Sequence, residues 1–358
     1  MNKISQRQLF FFLACIAPVG KLVVLPTQLV AAAGNDLLFP VLIQYLVQAA
    51  VIFCVLLLAK RGMNLYELLA NTFGKIAAKI LITIFTAFLF YAAFLPLLEQ
   101  KIFVQNVFYD TLPSLISFTP FFVFAEFLLS KPLASYGRAW DILAPFSILG
   151  LLGIFILSVG SADFSALLPV GSSGIGGIAK ATMNVSCWFY DSAIVLTLLG
   201  KFEYRKGLAW KGAVWYLVGG VAVLAFLAVF YGIFQEISVY QLFAFAQSSK
   251  YFSGITVLGR IDYVFIIALA MVMAFYCILP AQGGLDCILH AYGKPRYLPT
   301  ILAILLSIVY LTASLLLDYR FNAARIVIAE NLFWIFPIFT ILIPLLCLLL
   351  RRERREIS

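Results

Sequence analysis

Charged residues are scarce in this chain of 358 residues: Asp, Glu, Lys and Arg together make up 11% of it, while hydrophobic residues make up 64%. A soluble globular domain carries about 25% charged and about 45–50% apolar residues. The mean hydropathy of +1.04 points the same way. The composition therefore excludes a soluble globular protein and predicts an integral membrane protein. Residues 1–7 are short and polar and lead into no cleavage site, so we expect no cleavable signal peptide.

Side chains suited to catalysis or metal binding are equally rare. His290 is the single histidine, and the six cysteines form no Cys-x-x-Cys pair. The glycine-rich stretch 171–177 lacks the Lys-Ser/Thr of a phosphate-binding loop. We therefore expect no cofactor, no metal site and no enzyme activity. The net charge of +9 is spread over short loops, which does not favour binding to nucleic acid.

Long apolar segments fill nearly the whole sequence. A membrane-spanning helix needs about 20 mostly apolar residues. We predict an all-α integral membrane protein with a single domain over 1–358 and ten transmembrane helices. The predicted spans are 8–33, 37–59, 77–107, 114–130, 139–160, 177–200, 212–234, 261–288, 298–317 and 325–350.

The longer connections have distinct patterns. Residues 60–76 repeat leucines at helical spacing after Asn64, which predicts a short amphipathic helix capped by Asn64. Residues 161–175 are predicted to form a loop. Residues 236–260 form another, and its apolar members predict that it lies on the membrane surface. Those members are Leu242, Phe243, Phe245 and Tyr251.

The distribution of basic residues predicts the orientation. Of the 25 lysines and arginines, 18 fall on the side that holds both termini, five fall on the opposite side, and Lys21 and Lys101 fall inside spans. Short cytoplasmic loops carry an excess of Lys and Arg. We therefore expect both termini to be cytoplasmic.

Two predicted spans are interrupted, and they lie five spans apart. Residues 17–21 (Ala-Pro-Val-Gly-Lys) interrupt the first span, and the polar stretch 182–187 interrupts the sixth. Paired interruptions indicate the binding site of an inverted-repeat transporter. The pattern predicts a five-plus-five inverted repeat of the LeuT type, with one repeat over about 8–160 and the other over about 177–350. The alternative is a pair of simple proline or glycine kinks, which are common in membrane helices.

A break in a membrane helix exposes backbone groups that can bind a small molecule. Freed N–H groups favour a carboxylate and freed C=O groups favour an ammonium, and an amino acid carries both. The predicted substrate-binding residues follow the two breaks. They are Ala17, Pro18, Val19, Gly20, Lys21, Asn184, Ser186, Cys187, Tyr190 and Asp191.

Charged residues within apolar spans are costly and point to function. Lys21 lies at the first break and Asp191 just past the second, so a Lys21–Asp191 pair is one hypothesis. Alternatively, each pairs elsewhere, for example Lys21 with Glu99 or with a ligand carboxylate, or Lys21 stabilises the break as a fixed cation. Glu99 and Lys101 are either buried or part of a solvated rim.

Several stretches resemble the B subunit of spore germinant receptors, the endospore germination permeases. They are Ile4-Ser-Gln-Arg-Gln-Leu-Phe-Phe-Phe, Val23-Val-Leu-Pro-Thr-Gln-Leu-Val-Ala-Ala-Ala-Gly-Asn-Asp36, Tyr136-Gly-Arg-Ala-Trp-Asp-Ile-Leu-Ala-Pro145 and Asp163-Phe-Ser-Ala-Leu-Leu-Pro-Val170. The resemblance extends over the whole chain in span number and spacing. It implies the fold of the amino acid–polyamine–organocation superfamily, a small germinant that is often an amino acid, partner A and C subunits, and the spore inner membrane.

The chain departs from that family at both breaks. Lys21 stands where the family usually has a small uncharged residue, and Tyr190-Asp191 stands where it often has a glutamate. Three functions remain open at this point: a germinant-sensing subunit, a proton-coupled amino acid permease, and a structural membrane subunit that binds no ligand.

Overall fold

The computed structural model describes residues 3–108, 133–249, 262–293, 298–316 and 334–349, together with residues 113, 129, 131, 320, 323, 327 and 328. Within these ranges the chain is helical, and its only β-type pairing is an isolated bridge between Ile4 and Phe202.

Thirteen α-helices are labelled here in chain order, within the described ranges. They are α1 Gln6–Ile16, α2 Leu25–Ala33, α3 Leu38–Leu58, α4 Leu65–Phe73, α5 Lys75–Phe108, α6 Leu133–Ser158, α7 Gly174–Asn184, α8 Asp191–Thr197, α9 Leu208–Phe234, α10 Ala244–Ser248, α11 Asp262–Tyr292, α12 Leu298–Leu316 and α13 Ile343–Leu349. A π-helical stretch, Ile338–Leu342, leads into α13.

The predicted spans correspond closely to these helices. The first span is divided into α1 and α2, and the sixth into α7 and α8, so both predicted breaks are confirmed. The fourth span, 114–130, lies almost entirely outside the described residues, and the tenth is described only over 334–349. Among the described residues, four helices are long and apolar enough to cross a membrane, by length and composition: Leu38–Arg61, Lys75–Asn106, Leu208–Tyr240 and Leu269–Tyr292.

Side-chain caps explain where two helices begin. The Ser5 hydroxyl accepts from the Gln8 N–H while the Gln8 side chain accepts from the Ser5 N–H, which forms a capping box at α1. Asn64 and Glu67 make the same exchange at α4, so the predicted cap and connecting helix are confirmed. Leu65, Leu68 and Leu69 of α4 are buried against the rest of the protein.

The broken first span lies against α9 at very close range. A Cβ added at Gly219 would lie 2.3 Å from the Ala14 carbonyl oxygen and 2.7 Å from the Ala17 Cβ. Only a residue without a side chain allows this approach. Two further pairs of long helices pack together, α3 with α9 and α5 with α11.

One interpretation of the sequence needs correction. The segment 236–260 was expected on the membrane surface, and Ile237 and Tyr240 are exposed, but residues 243–249 turn inward, where Phe243 and Phe245 are buried. The Phe245 and Ala244 N–H groups donate to the carbonyls of Leu22 and Val23, at 3.2 and 3.0 Å. Unwound backbone inside a membrane protein needs such partners, which is why this segment is drawn in. Tyr251 lies outside the described residues.

For Glu99 and Lys101 the sequence left two alternatives open, burial and a solvated rim. Both side chains are buried, at 0% and 1% exposure. Glu99 accepts from the Trp188 indole N–H at 3.0 Å, and Lys101 donates to the Ser314 carbonyl at 2.7 Å. The option of burial is therefore correct.

Candidate functional site

The first break begins where α1 ends at Ile16 and closes where α2 begins at Leu25. Pro18 has no N–H to donate, so it removes a hydrogen bond from the helical ladder. Gly20 has a φ of +79°, which L-residues with a side chain rarely adopt. A Cβ at this position would also lie 2.7 Å from the Tyr276 ring. The sequence thus dictates the break locally, and the ring of Tyr276 closes over it.

The carbonyls released by this break have partners within the protein. The Ala17 carbonyl accepts from the Tyr45 hydroxyl at 2.8 Å, and the Pro18 carbonyl accepts from the Lys21 N–H at 3.0 Å. The Ile16 carbonyl lies 3.4 Å from the Lys21 ammonium. Together with the bonds that Ala244 and Phe245 donate to Val23 and Leu22, these contacts give internal partners to several carbonyls of the break.

The sixth span is broken without a proline. Helix α7 ends at Asn184, a short 3-10 turn covers Ser186–Trp188, and α8 begins at Asp191. Two glutamines of α3 hold its ends: Gln44 donates to the Thr182 carbonyl at 2.8 Å, and Gln48 accepts from the Ser192 N–H at 3.2 Å. The break is therefore stabilised from a neighbouring helix as well as by hydrogen bonds within its own short turn.

The two breaks meet at a buried ion pair. The Lys21 Nζ lies 2.7 and 2.9 Å from the two carboxylate oxygens of Asp191, and both side chains are 0% exposed. The Tyr216 hydroxyl donates to the same carboxylate at 2.6 Å, and the Tyr276 hydroxyl lies 3.5 Å from it. The predicted Lys21–Asp191 pair is confirmed.

Aromatic rings surround the ammonium of Lys21. Its Nζ lies 5.2 Å from the ring centre of Phe189 and 5.8 Å from that of Tyr276, within the range of cation–π attraction. Tyr45 contacts Phe189 edge to face, with ring centres 5.2 Å apart. Tyr190 lies beside Tyr276 at 6.1 Å. The ion pair is thus enclosed in an aromatic shell that excludes solvent.

The other predicted site residues divide into two groups. Val19, Ser186, Cys187 and Tyr190 are buried beside the ion pair or along the breaks that bear it. Asn184 is exposed at the end of α7, so the structure does not bring its side chain into the buried cluster. The Ser186 Oγ has no hydrogen-bond partner among the described residues.

Sequence reasoning missed the residues that hold the breaks from other helices. Gln44, Tyr45 and Gln48 of α3, Tyr216 of α9 and Tyr276 of α11 all contact a break or the ion pair. A signal for three of them was present. Two glutamines and a tyrosine within an apolar span, at helical spacing, mark one polar face that must meet buried partners.

A polar clamp on the loops joins the two broken spans at their other ends. The Asp36 carboxylate, just after α2, accepts from the N–H groups of Gly171 and Ser173, each at 2.7 Å, just before α7 begins. Asn35 donates to the Pro169 carbonyl at 2.8 Å. Burial acts to raise the pKa of Asp36, but these backbone N–H bonds outweigh it and hold the pKa below its usual value. Both broken spans are therefore joined at their breaks and at one end.

The fold and site define a multi-pass membrane protein of the permease type. A family of spore germination proteins matches residues 3–322, so the chain belongs to that family. No curated protein matches the chain.

Solved structures share the fold at low sequence identity. A mutant of the Eremococcus coleocola manganese transporter aligns with a TM-score of 0.60 and 15% identity, over 95% of this chain and 78% of that chain. The same transporter in complex with an aromatic bis-isothiourea compound aligns with a TM-score of 0.58 and 16% identity, with the same coverage. At this identity the likeness establishes a membrane-transporter fold and nothing about the ligand.

Proposed function

We propose that this protein is the germinant-sensing membrane subunit of a spore germination receptor and that it binds a small nutrient where the two broken helices meet. The observation that carries the proposal is the junction itself. Two unwound segments from distant parts of the chain converge on Lys21 and Asp191, in a protein of the spore germination family. Irregular backbone at this depth is otherwise costly and is typical of ligand sites.

The same arrangement supports a five-plus-five inverted repeat. A two-fold axis between the repeats would bring helices near the centre into contact with their counterparts. Helix α3 contacts α9, and α5 contacts α11, as the second and third spans of one repeat would contact those of the other. Both α5 and α11 also carry an internal proline, Pro96 and Pro280. We place both termini on the cytoplasmic side of the spore inner membrane, with A and C subunits as partners.

A proton-coupled amino acid permease is the second candidate. The observation in its favour is the transporter fold together with a buried carboxylate, Asp191, that faces a cation. A structural subunit without a ligand is the third, and the observation in its favour is that the first break already has internal partners for several carbonyls. A sensor and a permease share a two-state scaffold, so binding alone does not separate them.

The deciding experiment uses the purified chain in lipid nanodiscs and in liposomes. Thermal melting with amino acids, sugars and nucleosides detects binding, and liposomes with an imposed pH gradient detect uptake of each compound that binds. Binding without uptake supports the sensor. Uptake that follows the gradient supports the permease, and a panel that produces no melting shift supports the structural subunit and contradicts the proposal.

A further inference from the structure

The surroundings of the Lys21 ammonium form a complete receptor for a primary amine. Three oxygens lie within hydrogen-bond distance of Nζ: both carboxylate oxygens of Asp191 at 2.7 and 2.9 Å, and the Ile16 carbonyl at 3.4 Å. A primary ammonium has three donors, so the set matches it in number. The faces of Phe189 and Tyr276 complete the enclosure.

We propose that Lys21 is a tethered ammonium that fills, from within the chain, the place where an amine-bearing ligand would put its own ammonium, and that the site therefore takes a small neutral molecule without a cationic amine. Only the part of the inference that concerns the ligand rests on the proposed function. The occupied ammonium site is a property of the chain itself.

Charge balance gives the same result. The ion pair is fully buried and its net charge is zero. A ligand ammonium would have to displace Lys21 from Asp191, remain without a counter-ion, or bring a carboxylate that is desolvated with it, and burying charge in a low-dielectric interior is costly. An anionic ligand faces the same cost with the opposite sign. A neutral polar molecule avoids both costs.

Hydrogen-bonding capacity suited to a neutral ligand remains at the sixth break. The Gln48 side chain is 0% exposed, and its oxygen is engaged by the Ser192 N–H. Its Nε2 has no partner among the described residues, and neither has the Ser186 Oγ, whose residue is 7% exposed. Buried donors without a partner are costly. A hydroxyl or carbonyl oxygen of a neutral ligand would satisfy them.

The test replaces the tethered amine by a free one. Lys21→Ala removes a propylammonium group and leaves space for n-propylammonium, which contains the missing atoms. In nanodiscs, n-propylammonium chloride is expected to raise the melting temperature of Lys21→Ala by about 2 °C or more relative to potassium chloride of equal concentration. Wild type should not respond, because its site is filled.

Three control variants make the result specific. Lys21→Met removes the charge but keeps most of the volume, so n-propylammonium should not stabilise it. Lys21→Ala/Asp191→Asn leaves the space but no carboxylate, and it should not respond either. Lys101→Ala tests whether a buried lysine elsewhere gives the same response. Equal stabilisation of Lys21→Ala and any of these variants would overturn the inference, as would no stabilisation of Lys21→Ala.

If Lys21→Ala fails to fold, the membranes that contain it are extracted once in n-propylammonium chloride and once in potassium chloride. Monodisperse protein obtained in n-propylammonium but not in potassium chloride supports the inference, and aggregation in both contradicts it.

The ligand class is tested on wild type with glucose beside glucosamine, and with 1,2-propanediol beside alaninol. A preference for an amine-bearing member contradicts the neutral-ligand class even if the protein is a germinant sensor. A panel without any binder contradicts the proposed function, whereas the rescue experiment still decides the tethered ammonium.

Discussion

The two broken spans reach the same outcome by opposite means. In the first span the residues of the break themselves interrupt the helix, because Pro18 lacks an N–H donor and Gly20 adopts a φ of +79°. In the sixth span no residue forces a break, and Gln44 and Gln48 of α3 hold the two ends. The first break can therefore be recognised in the sequence, although Tyr45 also contacts it, whereas the sixth depends on partners that lie on another helix.

The largest expected effect comes from the contact that the two breaks share. Lys21→Met and Asp191→Asn should each lower the free energy of unfolding by about 3–5 kcal/mol, because each leaves a buried charge without its partner. The double variant should recover part of that loss. Chemical denaturation of all four proteins in nanodiscs measures the coupling. Strictly additive losses would mean that the pair observed at 2.7 Å does not couple the breaks.

The second expected effect separates the local break from its surroundings. Gly20→Val should cost about 2–4 kcal/mol, because a side chain at positive φ is strained and its Cβ would collide with Tyr276. Membrane insertion should persist while ligand binding and the germination response are lost. Gly62→Val is the matched control, since Gly62 also has a positive φ, +64°, but open space around it. Equal losses in both variants would assign the effect to backbone strain alone.

The sequence predicts the first break better than the sixth. Pro18, Gly20 and Lys21 are unusual residues in an apolar run, so the first break and its cation were recognisable. The Lys21–Asp191 pair was one of several hypotheses suggested by the cost of burying either charge alone. Gln44 and Gln48 were recognisable as polar residues in an apolar span, but nothing in that span specifies that they meet the sixth break.

The same limit applies to the fold. The ends of α3 and α9 lie within a few residues of prediction, since long apolar runs define them. The surface position predicted for the segment around Phe243 was wrong. Its aromatic residues are equally suited to a membrane surface and to a protein interior. The interior position is selected by tertiary partners, because the carbonyls of Leu22 and Val23 accept from the Phe245 and Ala244 N–H groups.

The third expected effect concerns the hydrogen bond by which α3 holds the sixth break. Gln48→Leu keeps the approximate volume but removes the acceptor for the Ser192 N–H, which should cost about 1–3 kcal/mol. Hydrogen–deuterium exchange should rise at the start of α8 more than in the first break. Leu46→Ala, an exposed position on the same helix, should leave that exchange unchanged. Increased exchange confined to the first break would show that α3 does not hold the sixth.

The smallest expected effect lies at the clamp between Asp36 and the start of α7. Asp36→Asn should cost about 1 kcal/mol at neutral pH, because a charged acceptor of two backbone N–H groups becomes a neutral one. The pKa of Asp36 is lowered in the folded protein, so its stabilisation is fully present above its unfolded pKa of about 4 and is lost as the pH falls through the lowered value. The difference in melting temperature between wild type and Asp36→Asn should therefore be constant near neutrality and shrink below about pH 4. Asp163→Asn is the control, since that carboxylate accepts from Ser165 within its own loop.

A clamp that couples the broken spans predicts that Asp36→Asn raises amide exchange in both α2 and α7. Exchange that rises in α7 alone would reduce Asp36 to a local cap, and the two breaks would then be joined only at Lys21 and Asp191.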